Sequence, residues 1–224
     1  MNKQQLEIRI QNIRHKIEAI KTQYKIEHDI IIVAATKTKN PETINMLPEC
    51  GINVIGENRV QELIEKYPYI DQNLEKHFIG QLQTNKVKYI IDKVSLIHSL
   101  DRLSLAQEIE KQAIKIGQKI DVLIEVNMGE QNKGGVAIDD VVEFYQSVQN
   151  QYPDIVVRGL MSVMPINTDE GKYLQISKLY GILKAQSDKI KYLSVGMSDD
   201  YLTAIKYGAN MIRLGRAVLG ERNT

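Results

Sequence analysis

Ile30-Ile31-Ile32-Val33-Ala34-Ala35 runs directly into Thr36-Lys37-Thr38-Lys39-Asn40, and Pro41-Glu42 then opens a stretch that stops at Cys50-Gly51. The first run is short, apolar and mostly β-branched, the pattern of a strand covered on both faces. A proline start and a glycine stop bracket a helix over residues 41–50. One strand followed by one helix is the unit, and the chain repeats it. Further strands are predicted over residues 52–55, 77–79, 94–98, 120–126, 155–161, 192–195 and 210–214. Helices are predicted from about residue 59 and over 82–91, 103–116, 139–149, 173–187 and 199–207, the third of these closed by Gly117. Eight strands alternating with helices predict an α/β fold, a single-domain (β/α)8 TIM-like barrel, with an open doubly wound sheet as the competing architecture. Ahead of the first strand, Leu6, Ile10, Ile13, Ile17, Ile20 and Tyr24 recur at helical spacing with charges between them, which predicts an extra amphipathic N-terminal helix.

The rest of the composition agrees with one soluble unit. The chain has 224 residues, 43% of them hydrophobic, enough for one barrel domain spanning residues 1–224. Lysine and arginine total 29 against 28 acidic residues, a formal charge of +1, so no nucleic-acid or membrane partner is expected and any anion site must be local. The single cysteine, Cys50, has no intrachain partner for a disulfide and fits a reducing compartment. The N-terminus carries Glu7, Arg9, Arg14 and Lys16 in place of an apolar leader core, and no stretch approaches the roughly 18 consecutive apolar residues of a membrane span. A cytoplasmic protein is the expectation. No exposed apolar seam is legible, so a monomer is expected too.

A barrel of this kind carries its chemistry where strands end and the following loops begin. Those positions hold Thr36-Lys37, Gly56-Glu57-Asn58, Gly80-Gln81, His98-Ser99, Asn127, Ser162, Gly196-Met197-Ser198 and Gly215-Arg216. A lysine at the mouth of a core strand is partly desolvated, which favours the neutral amine that attacks an aldehyde; the plainer reading is a surface lysine beside Lys39. The glycine loops after strands seven and eight suit a phosphate, which barrels bind there through backbone donors; the plainer reading is a pair of tight turns. His77 and His98 read as satisfied core histidines, with no spacing that indicates a metal site. The segment 129–135 is glycine-rich but lacks the Gly-Lys-Ser/Thr ending of a nucleotide loop, so a lid or surface loop is expected and ATP is not.

Seven segments together resemble a known family across nearly the whole chain: 35–39 (Ala-Thr-Lys-Thr-Lys), 56–62 (Gly-Glu-Asn-Arg-Val-Gln-Glu), 77–86 (His-Phe-Ile-Gly-Gln-Leu-Gln-Thr-Asn-Lys), Glu125-Val126-Asn127, Gly159-Leu160-Met161-Ser162, 196–200 (Gly-Met-Ser-Asp-Asp) and 213–220 (Arg-Leu-Gly-Arg-Ala-Val-Leu-Gly). The chain resembles the pyridoxal phosphate homeostasis proteins, which share the barrel of the alanine racemases (PLP fold type III) and lack their second domain. The resemblance implies pyridoxal 5′-phosphate (PLP) as cofactor, bound as a Schiff base on Lys37. It implies that Ser198, Gly215 and Arg216 hold the phosphate, that Arg213 faces the pyridine nitrogen, and that Asn58, His77 and Ser162 also contact the cofactor. The family often has threonine where this chain has Arg216, so a hydroxyl contact is exchanged for a charge or a backbone N–H. The implied role is a PLP carrier or regulator in vitamin B6 homeostasis, with amino acids and PLP-dependent apoenzymes as further partners and little or no catalysis. The alternatives are a PLP-dependent amino-acid racemase and an aldolase-like enzyme using Lys37 without PLP. Because the sequence stops at Thr224, just past the last strand, the second domain of a racemase is not expected.

Overall fold

Strand β1 (Ile31–Ala35) lies between β2 (Val54–Glu57) and β9 (Met211–Leu214) and runs parallel to both, with Ala34 opposite Ile55 on one side and Leu214 on the other. The structure is a computed structural model that describes residues 1–130, 133–166 and 168–221. From β2 the ring continues through β3 (Glu75–Phe78), β4 (Leu96–Leu100), β5 (Ile120–Asn127), β7 (Ile155–Met161) and β8 (Tyr192–Ser194) back to β9, every neighbour parallel. The β4–β5 and β1–β9 pairings close the sheet, which rules out the open doubly wound alternative. Among the described residues a ninth, two-residue strand β6 (Val136–Ala137) adds to the end of β5; it lies just past the glycine-rich segment, whose Gln131 and Asn132 fall outside the described residues.

Strand alternation sends one set of side chains inward and the other outward. Val33, Leu96, Leu123, Met161 and Met211 form the inner cluster. The outward set meets the helices. The N-terminal helix α1 (Lys3–Tyr24) begins at Asn2 with a full capping box to Gln5 and buries Leu6, Ile10, Ile13 and Ile17. These pack with Ala34, Ile55, Ile212 and Leu214 from the strands and with Val218 and Leu219 beyond β9. Ile20, at the same spacing, is partly buried against this cluster, and Tyr24, one turn on, is exposed.

Helix boundaries depart from the sequence pattern where backbone chemistry intervenes. The helix predicted over 41–50 splits into α2 (Pro41–Ile44) and a 3₁₀ turn at Pro48–Cys50, because Pro48 has no N–H to continue the ladder. The segment predicted as a helix over 82–91 is a 3₁₀ run at Thr84–Tyr89. The later helices are α3 (Val60–Lys66), α4 (Leu103–Ile116), α5 (Val141–Gln151), α6 (Glu170–Gln186), α7 (Tyr201–Lys206) and the single turn α8 (Arg216–Leu219). Helix α6 starts before the predicted position because Asp169 caps it through Gly171 N–H. No helix among the described residues is long and apolar enough to cross a membrane.

The packing of α1 is testable with a pair of substitutions one turn-face apart. Ile10 is 2% exposed and Ile8 is 52% exposed. Ile10→Ala is expected to cost about 2–4 kcal/mol of stability in denaturant unfolding, and Ile8→Ala at most about 0.5 kcal/mol.

Candidate functional site

A cavity of about 550 Å³ opens at the C-terminal rim of the strands, lined by Lys37, Asn58, Ser198, Arg213, Gly215 and Arg216 together with apolar Ile79, Val163 and Met197. Six of the eight residues picked from the sequence thus line one space, within the size range of about 300–1,000 Å³ typical of small-molecule sites. His77 and Ser162 are not among its lining residues; both are buried just beneath it.

Lys37 is held by its neighbours. Thr36 is buried, and its Oγ1 donates to Glu57 Oε1 over 2.6 Å. Lys66, one turn beyond Glu62 on α3, donates to the Thr36 carbonyl (2.9 Å), to Glu57 Oε1 (2.9 Å) and to Glu62 Oε1 (2.6 Å). Glu62 also accepts the Thr38 backbone N–H. Thr38 sits at φ +65°, in the left-handed region that a β-branched residue seldom adopts, so this clamp over-determines the backbone on each side of Lys37. Burial pushes the Glu57 carboxyl up against the opposing hydrogen bonds from Thr36 and Lys66.

Arg213, on β9 and only 5% exposed, reaches the cavity from below. Its Nη1 donates to Ser194 O (2.6 Å) and Ser194 Oγ (2.8 Å), and its Nη2 to Ser162 O (2.8 Å). Ser162 therefore serves the site through its carbonyl, while its hydroxyl donates to Val126 O over 2.7 Å. Burial draws the Arg213 guanidinium down to about 10, against the pull of Asp200 and Glu125, and it remains a cation at neutral pH. His77 is bonded to Glu75 and to His98, as expected of a satisfied core histidine.

The loops after β8 and β9 meet at the far side. Ser198 Oγ accepts the Ala217 N–H of α8 over 3.2 Å, which brings the two loops together. Gly196 has φ +103°, and a Cβ there would lie 2.8 Å from Ala204 Cβ, so only glycine fits this turn. Gly80 is required for a different reason than ligand approach: a Cβ would stand 2.1 Å from the Asn58 carbonyl oxygen. Gly215 has room, its virtual Cβ 3.7 Å from Ala35. The Arg216 side chain bonds Asp199 and lies 4.0 Å from Glu221.

Several groups here carried little sequence signal. Glu62 and Lys66 have the i,i+4 spacing of an ordinary surface pair, and Ser194 belongs to no recognisable pattern. Three buried carboxamide or carboxylate oxygens, Glu57 Oε2, Asn58 Oδ1 and Glu125 Oε2, have no hydrogen-bond partner among the described residues. Burial, reinforced by Asp101 and opposed by Arg213, pushes the Glu125 carboxyl up to about 7. No cluster of three or more His, Cys, Asp or Glu side chains among the described residues is arranged to hold a metal.

A closed parallel barrel with a lysine after its first strand and paired glycine loops after its last two defines the barrel class of the alanine racemase N-terminal domain, and the profile of that domain matches residues 8–223. The fold of an alanine racemase from Clostridium difficile 630 superposes with a TM-score of 0.71 at 19% identity, covering 96% of this chain and 58% of that one. PipY of Synechococcus elongatus PCC7942, solved with PLP bound, gives a TM-score of 0.80 at 25% identity over 96% of this chain and 100% of that one. A pyridoxal phosphate homeostasis protein of Aquifex aeolicus (strain VF5) is 44% identical over 198 residues, 85% of this chain and 86% of the relative. The chain belongs to the pyridoxal phosphate homeostasis protein family.

Glu125 supplies a pH test of the site's electrostatics. The folded protein keeps the Glu125 proton up to about pH 7, whereas the unfolded chain loses it near 4.5. The raised value therefore gives stability that is complete below pH 4.5 and is lost as pH rises through 7. Glu125→Gln, which fixes the neutral form, is expected to unfold like wild type at pH 4 and to gain at most about 3 kcal/mol at pH 8, measured by denaturant titration.

Proposed function

We propose that this chain holds PLP as a Schiff base on Lys37 and acts as a carrier in cytoplasmic PLP homeostasis, with little or no catalysis of its own. The observation that carries the reading is the convergence of Lys37, Arg213 and the Ser198 and Gly215 loops on one cavity. The donor set fits the cofactor group by group. Lys37 offers an amine. Arg213 presents a donor-only guanidinium suited to an unprotonated ring nitrogen. The Ser198 hydroxyl and the first N–H groups of α8 suit the phosphate, and Arg216 contributes there through its backbone, since its guanidinium is engaged with Asp199. Asn58 Oδ1 offers a buried acceptor. His77 and Ser162 act from beneath, through Arg213.

Bound PLP supplies an electrophilic aldehyde and a ring that takes up electron density from an amino acid's Cα bonds. The protein's own groups favour carriage over turnover. A guanidinium does not surrender its proton, so Arg213 keeps the ring nitrogen as an acceptor and the electron sink shallow. Racemisation also needs a second acid or base on the opposite face, worth about 10²- to 10⁴-fold. The titratable side chains lining the cavity are Lys37, Lys39, Asp199, Arg213, Arg216 and Glu221, and the two carboxylates lie against Arg216. Amino acids then act as releasing partners and PLP-dependent apoenzymes as recipients, with the barrel working as a monomer.

Borohydride reduction of the PLP-loaded protein, followed by peptide mass mapping, is expected to place the adduct on Lys37; an adduct on Lys39, or none, overturns the assignment. Pyridoxal lacking its phosphate is expected to bind at least about tenfold more weakly than PLP, because charge-assisted bonds contribute about 1.5–3 kcal/mol each. Incubation with L-alanine in deuterated water decides the enzyme question: Cα deuteration and D-alanine formation at ordinary turnover, lost in Lys37→Ala, replace the carrier reading with the racemase.

A further inference from the structure

Arg213 stands at one end of a file of hydrogen bonds that crosses the barrel interior. Ser194 Oγ, which accepts from Arg213, lies 3.2 Å from His98 Nδ1. His98 Nε2 lies 3.0 Å from His77 Nδ1, and His77 Nε2 lies 2.9 Å from Glu75 Oε1. Ser194, His98 and His77 are buried, whereas the Glu75 side chain is 51% exposed at the start of β3, the end of the barrel opposite the cavity.

With both rings neutral, the Glu75 end fixes the direction of every link. A guanidinium only donates, so Ser194 Oγ accepts from Arg213 and is left with its own proton to give to His98 Nδ1. His98 must then carry its proton on Nε2 and give it to His77 Nδ1. His77 in turn carries its proton on Nε2 and gives it to Glu75, which as a carboxylate only accepts. The opposite direction fails at the Glu75 end, where a bare His77 nitrogen would face the carboxylate; Ser194 Oγ, with two lone pairs, could accept from both Arg213 and His98 and does not decide it. Protonating both rings would set two donors against each other between His98 Nε2 and His77 Nδ1.

We infer that Glu75, His77, His98 and Ser194 form a one-way hydrogen-bond file, both imidazoles neutral with the proton on Nε2, and that Ser194 and His98 are positioning residues that aim Arg213 at the ligand. Charges agree with this order. Burial holds His98 well below the usual imidazole range, and the His77 hydrogen bond holds the Glu75 carboxyl below its ordinary value. The bonded partners of the Arg213 guanidinium, Ser194 and Ser162, are neutral oxygens. The single carboxylate of the file sits two rings away, so the cation is oriented without being paired off.

The identity of the ligand rests on the PLP reading, whereas the file does not, and the test separates them. The chain has four histidines, so long-range ¹H–¹⁵N correlation of the histidine-labelled, PLP-free protein at pH 7.5 resolves each tautomer. Both His77 and His98 are expected as Nε2–H forms; an Nδ1–H form or a doubly protonated ring at either position overturns the file. In the loaded protein, Ser194→Ala is expected to weaken PLP binding about fivefold to tenfold and to move the ring-nitrogen ¹⁵N signal, with borohydride still trapping the adduct on Lys37. Ser194→Thr, which keeps the hydroxyl, is expected to restore both. Wild-type affinity and an unmoved ¹⁵N signal in Ser194→Ala overturn the positioning role. A wild-type protein that takes up no PLP overturns the cofactor reading alone, and the tautomers of the PLP-free protein still decide the file.

Discussion

A parallel sheet leaves two rows of unpaired backbone groups unless its edges meet, and here β1 meets β9 over four residues, from Ile31 opposite Met211 to Ala34 opposite Leu214. Everything functional follows from that closure. Because all ring strands run the same way, every strand end that carries a polar residue arrives at one rim. Lys37 and Arg213 are 176 residues apart in sequence (213 minus 37), yet they leave adjacent strands and line the same cavity. The helices add the outer cover, with α1 lying across the β1–β9 seam through Ile10, Ala34 and Ile212.

Within this frame the interior tolerates charge only where it is fully bonded. Removing a charge from water costs several kcal/mol unless hydrogen bonds replace the lost hydration. Lys66 meets that condition with three oxygens and Arg213 with three others. Glu57 meets it on one oxygen only; its Oε2 is buried without a partner among the described residues, consistent with its raised carboxyl. These buried polar groups flank the two residues that face the cavity with an amine and a guanidinium, so the protein places its electrostatic costs next to the ligand.

Much of this was legible in the chain itself, for identifiable reasons. Strand β1 announces itself because a run of isoleucine, valine and alanine has no other economical home, and the α1 stripe because residues 6, 10, 13 and 17 keep a 3.6-residue period. Six of the residues expected at the site line the cavity because barrel chemistry gathers at strand ends. That His77 is not among the cavity-lining residues could not be read from a motif, which does not show its place within the strand. Ser194 and Lys66 were invisible because serine within a strand and lysine on a helix are the commonest of unremarkable choices; only the approach of β8 to β4, or of α3 to β1, gives them a role. The 3₁₀ run at Thr84–Tyr89 was missed because an apolar spacing of three fits either helix type over so short a stretch.

The seam between β1 and β9 also sets an order of events during folding. Residues 31–34 find their second partner strand only at 211–214, the most sequence-distant pairing in the ring. Loop closure of that length is a slow, non-local step. Until it happens, Lys37 has no guanidinium opposite, and α1 has only part of the surface it is built to cover. Until β1 and β9 pair, the cavity lacks the wall that Arg213 and the Gly215 loop supply, so the site forms together with the seam.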